Sequence, residues 1–413
     1  MNDLVPEGWK KVTLASISNI IMGQSPSSET YNDKRLGLPF FQGKADFGSH
    51  YPKVRVWCSE PSKIANKGAI LFSVRAPVGD INLSDCECCI GRGLAAISGD
   101  KVVQSYLYQT IKLVKSEFQL LAQGSTFEAI NGSELRDFKL TIPPLPEQQK
   151  IATILTSIDD VIEKTQLQIN KLKDLKTGMM QELLTRGVGI DGEPHTEFKD
   201  SPKWTTGKIS EITKIPLSWE LVNINDVARL ESGHTPSRDN VEYWGGEYQW
   251  LSLHDTKELN TPIIKKTKLS ITQAGLDNSS ARLLPIGTVA FSRTASVGHC
   301  VMFGKSMATS QDFANYVCGE KLSPRYLLQL FRWMQHVWNR LSEGSTHKTI
   351  YMPTFKKLQI LLPPIKEQFK IADIIESIDN DINKSIGKLY QYKNLKKALM
   401  HDLLTGKVRV NVD

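Results

Sequence analysis

Polar side chains that can donate and accept hydrogen bonds follow the ends of several predicted strands in this 413-residue sequence. Two further turns combine glycine with small hydroxyl residues. Paired donors and acceptors on rigid supports can read base edges in duplex DNA, and cations, hydroxyls and glycine amides can hold its phosphates. The candidate DNA-binding residues are Gln42, Lys44, Asp46, Arg75, Gly124, Ser125, Thr126, His254, Asp255, Arg293, Gly344, Ser345, Thr346, His347 and Lys348. For each single position, the alternative is a solvated surface residue or a structural ion pair.

The sequence lacks the motifs that would place a catalytic or cofactor site on this chain. The segment from Gly298 to Ser306 has five residues between its glycines, whereas a Walker A phosphate loop has four. Gly91-Arg92-Gly93 lacks the third glycine of a dinucleotide-binding fingerprint. Neither a Gly-x-Ser-x-Gly elbow nor a His-Glu-x-x-His helix is present. We therefore expect a non-catalytic chain that carries no cofactor.

Composition restricts the remaining classes of protein. Six cysteines in a chain of this length, three of them between Cys86 and Cys89, predict reduced thiols without a metal site. The net charge of +7 is compatible with a polyanionic partner. The sequence contains neither an apolar run of the roughly 18 residues that a membrane helix needs nor a signal peptide at the N-terminus. We therefore expect a cytoplasmic protein.

The chain repeats itself over a long interval. PPLPEQQKIATILTSIDDVI at 143–162 and PPIKEQFKIADIIESIDNDI at 363–382 share 12 of 20 residues at an offset of 220. A weaker echo pairs Gly23-Gln24-Ser25-Pro26 with Gly233-His234-Thr235-Pro236. Because solenoid repeats are only about 20 to 50 residues long, this period predicts two duplicated domains, each followed by a similar helix.

The two predicted helices each carry one apolar stripe at steps of three and four residues. Each would extend ~57 Å, which exceeds what a domain of about 140 residues can cover, so we expect the helices to pair with each other. The alternative is that each packs only on its own domain. The spacing does not determine the direction of pairing. The predicted coiled-coil interface residues are Ile151, Ile154, Ile158, Leu172, Leu175, Met179, Ile371, Ile374, Ile378, Leu389, Leu395 and Leu399.

These features together resemble a known family. The motif Pro-Pro-x-x-Glu-Gln leads twice into a long helix, Gly-Ser-Thr precedes each copy, and the second helix closes with Leu-Leu-Thr-Gly-Lys at 403–407. This doubled pattern, which covers nearly the whole chain, resembles the specificity subunit of a type I restriction-modification system. The first copy departs from the pattern because it closes with Leu-Leu-Thr-Arg-Gly.

The resemblance implies an α+β fold. Two duplicated α/β target recognition domains would be joined by two long conserved helices that pair as an antiparallel coiled coil, in a pseudo-twofold arrangement. The implied divisions are target recognition domain 1 at 1–146, spacer helix 1 at 147–186, a linker at 187–215, target recognition domain 2 at 216–366, spacer helix 2 at 367–406 and a tail at 407–413.

The resemblance also implies a function. Each recognition domain would read one half of a bipartite site in double-stranded DNA, and the helices would set the spacing and dock two methylation subunits. Two restriction subunits would complete a DNA adenine methyltransferase and ATP-dependent endonuclease, with S-adenosylmethionine, ATP and Mg²⁺ on the partner subunits. Two alternatives stay open: a non-DNA scaffold with two binding domains on a coiled-coil strut, and the recognition part of a fused restriction-methylation enzyme.

Overall fold

The computed structural model describes residues 5–123, 128–189, 193–206, 208–209, 212–342 and 348–412. The chain divides into two compact units. Unit 1 comprises residues 1–168 and 385–413, and unit 2 comprises residues 169–384. Each unit therefore contains part of both long helices.

Unit 1 is built around two mixed or antiparallel sheets and a short strand pair. Its strands are β1 (Lys10–Thr13), β2 (Ser18–Met22), β3 (Tyr31–Asn32), β4 (Leu38–Phe41), β5 (Val56–Cys58), β6 (Ile64–Ala65), β7 (Ile70–Ser73), β8 (Ile81–Leu83), β9 (Cys88–Ile90), β10 (Leu94–Gly99) and β11 (Lys139–Ile142). Its helices are α1 (Leu14–Ile17), α2 (Gln104–Leu113), α3 (Lys115–Gln123), α4 (Gly132–Asp137) and the start of α5 (Leu145–Thr185). The sheet orders are β3-β5-β4-β9-β6, β2-β10-β7-β8 and β1-β11.

Unit 2 repeats much of this plan. Its strands are β12 (Phe198–Asp200), β13 (Lys214–Pro216), β14 (Glu220–Asn223), β15 (Ala228–Ser232), β16 (Trp244–Leu251), β17 (Ile263–Ile264), β18 (Leu269–Ile271), β19 (Val289–Ser292), β20 (Cys300–Phe303), β21 (Ala308–Thr309), β22 (Phe313–Cys318) and β23 (Gln359–Leu362). Its helices are α6 (Gln273–Asp277), α7 (Pro324–Trp333), α8 (Gln335–Leu341), α9 (Met352–Lys356) and the start of α10 (Ile365–Leu404). The larger sheets have the orders β15-β22-β19-β20-β17 and β18-β16-β21.

The cores show why corresponding strands form. All four residues of β7 are buried, as are all four of β19, so these continuous apolar runs become central strands. β7 pairs antiparallel with β10 and β8, and β19 pairs antiparallel with β22 and β20. The prediction of two duplicated α/β domains is confirmed.

Both long helices start slightly earlier than predicted. α5 begins at Leu145 instead of residue 147, and α10 begins at Ile365 instead of residue 367. Pro146 lies in the first turn of α5, where a helix does not need the missing backbone N–H. After α10, Gly406 adopts a φ of 71°, a left-handed conformation that suits glycine at a helix C-terminus.

Within unit 1 the two helices run antiparallel. Lys396 Nζ on α10 lies 2.6 and 2.7 Å from the carboxylate oxygens of Asp159 on α5. Arg409, which follows α10, bonds Glu147 at the start of α5 through two contacts of 2.7 and 2.8 Å. As residue numbers increase along α5, the residue numbers of their partners on and after α10 decrease, which is the pattern of an antiparallel pair.

Unit 2 shows the same direction of pairing. Lys176 Nζ on α5 lies 2.6 and 2.8 Å from the carboxylate oxygens of Asp379 on α10. The backbone N–H of Val188, just after α5, donates to Glu367 in the first turn of α10 at 2.9 Å. The prediction of an antiparallel pair is confirmed in both units.

Two predicted interface residues do not lie on the interface. Leu175 is 50% exposed and Leu395 is 49% exposed, so including them was wrong. Steps of four and three residues lead from Leu172 through Lys176 to Met179, and these steps pass over position 175. The lysines at 176 and 396 take the interface positions because each has an aspartate partner. The other predicted interface residues are buried or half-buried.

The prediction that residues 187–215 form a linker is wrong. Its strands β12 and β13 pair antiparallel, and Trp204, Ile209, Ile212 and Ile215 belong to the main core of unit 2. The apolar residues of this segment are widely spaced among glycine, proline and charged residues. The sequence therefore shows no apolar periodicity there that would predict a strand or a helix. Among the described residues, none of the helices has the length and apolarity needed to span a bilayer.

Candidate nucleic-acid interface

In unit 1, three loops that leave strand ends meet around one concave surface. Gln42 follows β4, Arg75 follows β7, and Arg92 follows β9. Together with Lys44 and Gly93, these residues line a cavity of about 230 Å³. The strands hold the bases of these loops, so the sheet determines where each loop begins.

Glycine at position 23 allows the chain to pass beneath this surface. A Cβ atom at Gly23 would overlap the carbonyl oxygen of Gly91. The backbone N–H of Gly23 donates to the carbonyl of Leu94 at 2.9 Å. This close approach places Ser25, whose hydroxyl accepts hydrogen bonds from Gln42 Nε2 and from the Arg92 backbone N–H, both at 3.3 Å.

The surface of unit 1 carries available positive charge. Arg75 and Arg92 are exposed, and no hydrogen bond or ion pair engages their guanidinium groups within the part of the chain that the structure describes. Lys44 instead pairs with Asp80 Oδ2 at 2.5 Å, and Lys115 pairs with the other oxygen. Partial burial works to raise the pKa of Asp80, but the two lysines outweigh it and hold the pKa below its usual value.

Asp46 stabilises the loop that carries Gln42. Its carboxylate is buried, accepts backbone hydrogen bonds from Gln42 at 2.7 Å and Gly43 at 3.3 Å, and pairs with Arg55. These partners occupy the carboxylate of Asp46. Asp46 therefore stabilises its loop as a structural ion pair, which was the alternative to DNA contact.

Unit 2 builds the corresponding surface. A Cβ atom at Gly233 would overlap the carbonyl oxygen of Ser310, as one at Gly23 would overlap that of Gly91. The Thr235 hydroxyl donates to Gln311 Oε1 at 2.5 Å. Arg293 Nε donates to the carbonyl oxygen of Gln311 at 2.9 Å.

The remaining predicted residues of unit 2 fall into two groups. Asp255 is fully buried and accepts backbone hydrogen bonds from Ser252 at 3.0 Å and Lys268 at 2.7 Å, so it stabilises its loop as Asp46 does. His254, next to it, is exposed. Lys348 is also exposed, and its carbonyl accepts from the N–H of Ala295 at 3.1 Å.

Seven predicted residues lie outside the described part of the chain. They are Gly124, Ser125, Thr126, Gly344, Ser345, Thr346 and His347. The polar residues Ser25, Arg92, Thr235 and Gln311 belong to these surfaces but were not among the predicted residues. The repeated Gly-x-Ser/Thr-Pro motif could have indicated Ser25 and Thr235, since a motif retained in both halves marks a common position.

Within the described ranges, no group of three or more His, Cys, Asp or Glu residues could hold a metal ion. Burial raises the pKa of Cys88 to about 12 and that of Cys300 to about 11, so neither thiol is an activated nucleophile at neutral pH. The two surfaces instead present guanidinium, amide, hydroxyl and imidazole groups.

Comparison with known proteins identifies relatives of this chain. The family model described as the type I restriction modification DNA specificity domain matches residues 6–174 and again residues 216–389. The specificity subunit of the type I restriction enzyme MjaVIII from Methanocaldococcus jannaschii is 24% identical over 98% of this chain and 94% of its own length. The MjaX specificity subunit from the same organism is 40% identical, over 45% of each chain.

Solved structures share the fold. The S subunit of a type I restriction-modification system from M. genitalium matches with a TM-score of 0.59 and 13% identity, over 98% of both chains. A chain from a study of complex assembly and conformational transition of the type I R-M system matches with a TM-score of 0.60 and 16% identity, over 98% of this chain and 100% of that one.

Proposed function

The chain belongs to the type I restriction-modification DNA specificity family, and from this premise we propose that each of its units reads one half of a bipartite site in duplex DNA. Specificity subunits are the non-catalytic components of these systems and recognise DNA sequence. The finer proposal is that unit 1 and unit 2 read separate half-sites with the two surfaces described above.

One observation supports this proposal: unit 1 and unit 2 build corresponding surfaces on corresponding strands, but with different side chains. The Gly23–Gly91 and Gly233–Ser310 contacts match, whereas the polar groups on top of them differ. Two surfaces with a common frame suit two segments of the same kind of ligand. Their different side chains suit different base sequences.

The charge of the surfaces fits a DNA backbone. Arg75 in unit 1 and Lys348 in unit 2 are exposed cations that can neutralise phosphates. Binding through such contacts weakens steeply as salt rises, because neutralised phosphates release their counterions. We therefore expect DNA affinity to fall with ionic strength.

We further propose that α5 and α10 set the distance between half-sites and dock two methylation subunits. Paired helices are stiff, whereas a flexible connection would leave the spacing undefined. Their outer faces carry exposed apolar residues that a partner protein could cover. These residues are Leu167, Leu175, Ile386, Tyr390 and Leu395. Two restriction subunits would complete the complex, with S-adenosylmethionine, ATP and Mg²⁺ bound by the partner subunits.

Exchange of one recognition unit tests the proposal. Residues 196–362 would be replaced by the matching block of a relative that reads another motif. This block includes β12 and β13, because they pack in unit 2. Sequencing of methylated DNA from cells with the methylation partner should show one altered half-site and one unchanged half-site. If both half-sites change together, or if the wild-type chain directs methylation to no defined motif, the proposal is wrong.

A further inference from the structure

We propose that Arg92 and Gln311 are corresponding base-reading residues, with Arg92 reading a guanine in the half-site of unit 1 and Gln311 reading an adenine in that of unit 2. This inference rests on the proposed function of the two surfaces. It assigns the chemistry of recognition at one position of each half-site.

Backbone hydrogen bonds establish that the two residues correspond. The N–H of Val74, after β7, donates to the carbonyl of Gly93 at 3.0 Å. The N–H of Arg293, after β19, donates to the carbonyl of Asp312 at 2.9 Å. Gly93 and Asp312 directly follow Arg92 and Gln311, and each of these turns leads into the strand that pairs with β7 or β19.

Features that the units share cannot distinguish two different half-sites. The glycine beneath each turn and the hydroxyl of Ser25 or Thr235 recur in both units, so these groups build the frame. At position 92 or 311 the chemistry changes from a cation to a neutral amide. A phosphate contact would favour a cation in both units, whereas base reading requires a change of side chain when the base changes.

The backbone of Arg92 is held in place, whereas its guanidinium group is available to a ligand. Its backbone N–H donates to the Ser25 hydroxyl at 3.3 Å, and a Cβ atom at Gly93 would overlap the carbonyl oxygen of Gln42. Its guanidinium is exposed and has no hydrogen-bond partner within the described part of the chain. Two parallel N–H groups on a guanidinium match O6 and N7 of guanine in the major groove.

Hydrogen bonds hold both the backbone and the side chain of Gln311. Its backbone carbonyl accepts from Arg293 Nε, and its side-chain oxygen accepts from the Thr235 hydroxyl at 2.5 Å. In this arrangement the oxygen end of the amide faces Thr235. The oxygen keeps a second lone pair for the adenine N6 amino group, and the amide nitrogen can donate to N7.

Three substitutions in the full chain test the assignment: Arg92→Gln, Arg92→Lys and Gln311→Arg. Each variant would be assembled with its methylation partner, and its motif read from methylated DNA and from selection on a pool of random-sequence duplexes. We expect R92Q to change one guanine of the first half-site to adenine, and Q311R to change one adenine of the second half-site to guanine. We expect R92K to lose roughly 10- to 100-fold in discrimination for that guanine.

Each contrary result has a distinct meaning. If the first half-site contains no guanine, or if R92Q and Q311R leave the motif unchanged while the wild type reads a bipartite motif, this assignment is wrong and the proposed function stands. Full retention of affinity and motif by R92K, with a uniform loss of affinity in R92Q, would identify a phosphate contact and also overturn it. If the wild type selects no motif, the proposed function fails, and this assignment fails with it.

Discussion

Lys396 on α10 donates both of its short hydrogen bonds, of 2.6 and 2.7 Å, to the carboxylate of Asp159 on α5. Only 9% of the lysine side chain is exposed. Gln109 Nε2, from α2, donates to the same carboxylate at 2.8 Å. This pair therefore connects both long helices to α2.

Substitution of Lys396 by alanine should destabilise the protein. The change leaves the half-buried charge of Asp159 with Gln109 as its remaining side-chain partner. We expect a loss of about 2 to 3 kcal/mol in the free energy of unfolding, measured by urea titration. The exposed neighbour Lys397, replaced by alanine, is the matched control and should change little. Equal stability of both variants would show that the buried pair contributes nothing.

The corresponding pair in unit 2 should contribute less. Lys176 and Asp379 have side chains that are 21% and 25% exposed, so water screens their attraction more. We therefore expect Lys176→Ala to cost about 1 kcal/mol. A larger loss in this variant than in K396A would contradict the dependence on burial.

Gly23 should tolerate no side chain. A Cβ atom there would overlap the carbonyl oxygens that hold the turn at Gly91, so the chain must shift. We expect Gly23→Ala to cost about 2 kcal/mol and to weaken DNA binding, because the turn carries Arg92. Gly178→Ala, on α5, is the control, since no atom lies within 4 Å of its added Cβ and the residue lies outside the surface. If G23A binds DNA as the wild type does, the turn does not support the interface.

The ion pairs of Asp80 should make stability depend on pH. The pKa of Asp80 lies below its usual value, since Lys115 and Lys44 together outweigh partial burial. A carboxylate with a lowered folded-state pKa stabilises the protein at pH above the unfolded-state pKa, and this contribution disappears as the pH falls through the folded-state pKa.

We therefore expect Asp80→Asn to be about 1 kcal/mol less stable than the wild type at pH 7. The difference should shrink as the pH falls below about 4. Thermal unfolding across this range measures it, with exposed Asp85→Asn as a control for loss of charge. A difference that grows in acid would have the wrong sign for this account.

The duplicated plan was predictable from the sequence, but several side-chain roles were not. The repeat and the stripe predicted both domains and the helix pair, since apolar spacing reports directly on packing. The stripe also suggested Leu175, because a leucine beside a lysine is ordinarily the buried residue. Only the position of Asp379 on the partner helix shows why Lys176 faces the interface instead. In the sequence Asp46 and Asp255 likewise resemble surface carboxylates, because the backbone N–H groups that bond them come together only in the folded loops.

Lengthening both helices equally tests whether they set the distance between half-sites. Thr165 lies six residues after Asp159, and Tyr390 lies six residues before Lys396, so the antiparallel register places these positions opposite each other. Insertion of one heptad after Thr165, repeating 166–172, and one after Leu389, repeating 383–389, preserves the apolar stripe.

The paired insertion adds about 10 Å of helix at 1.5 Å per residue, which corresponds to about three base pairs at 3.4 Å each. We expect the methylated motif of the double variant to keep both half-sites and to gain about three base pairs in the gap between them. A single insertion leaves seven residues unmatched, so it should destabilise the helix pair instead of shifting the gap. An unchanged gap in a folded, active double variant would show that the helices do not determine the spacing and would leave the docking of methylation subunits as their proposed role.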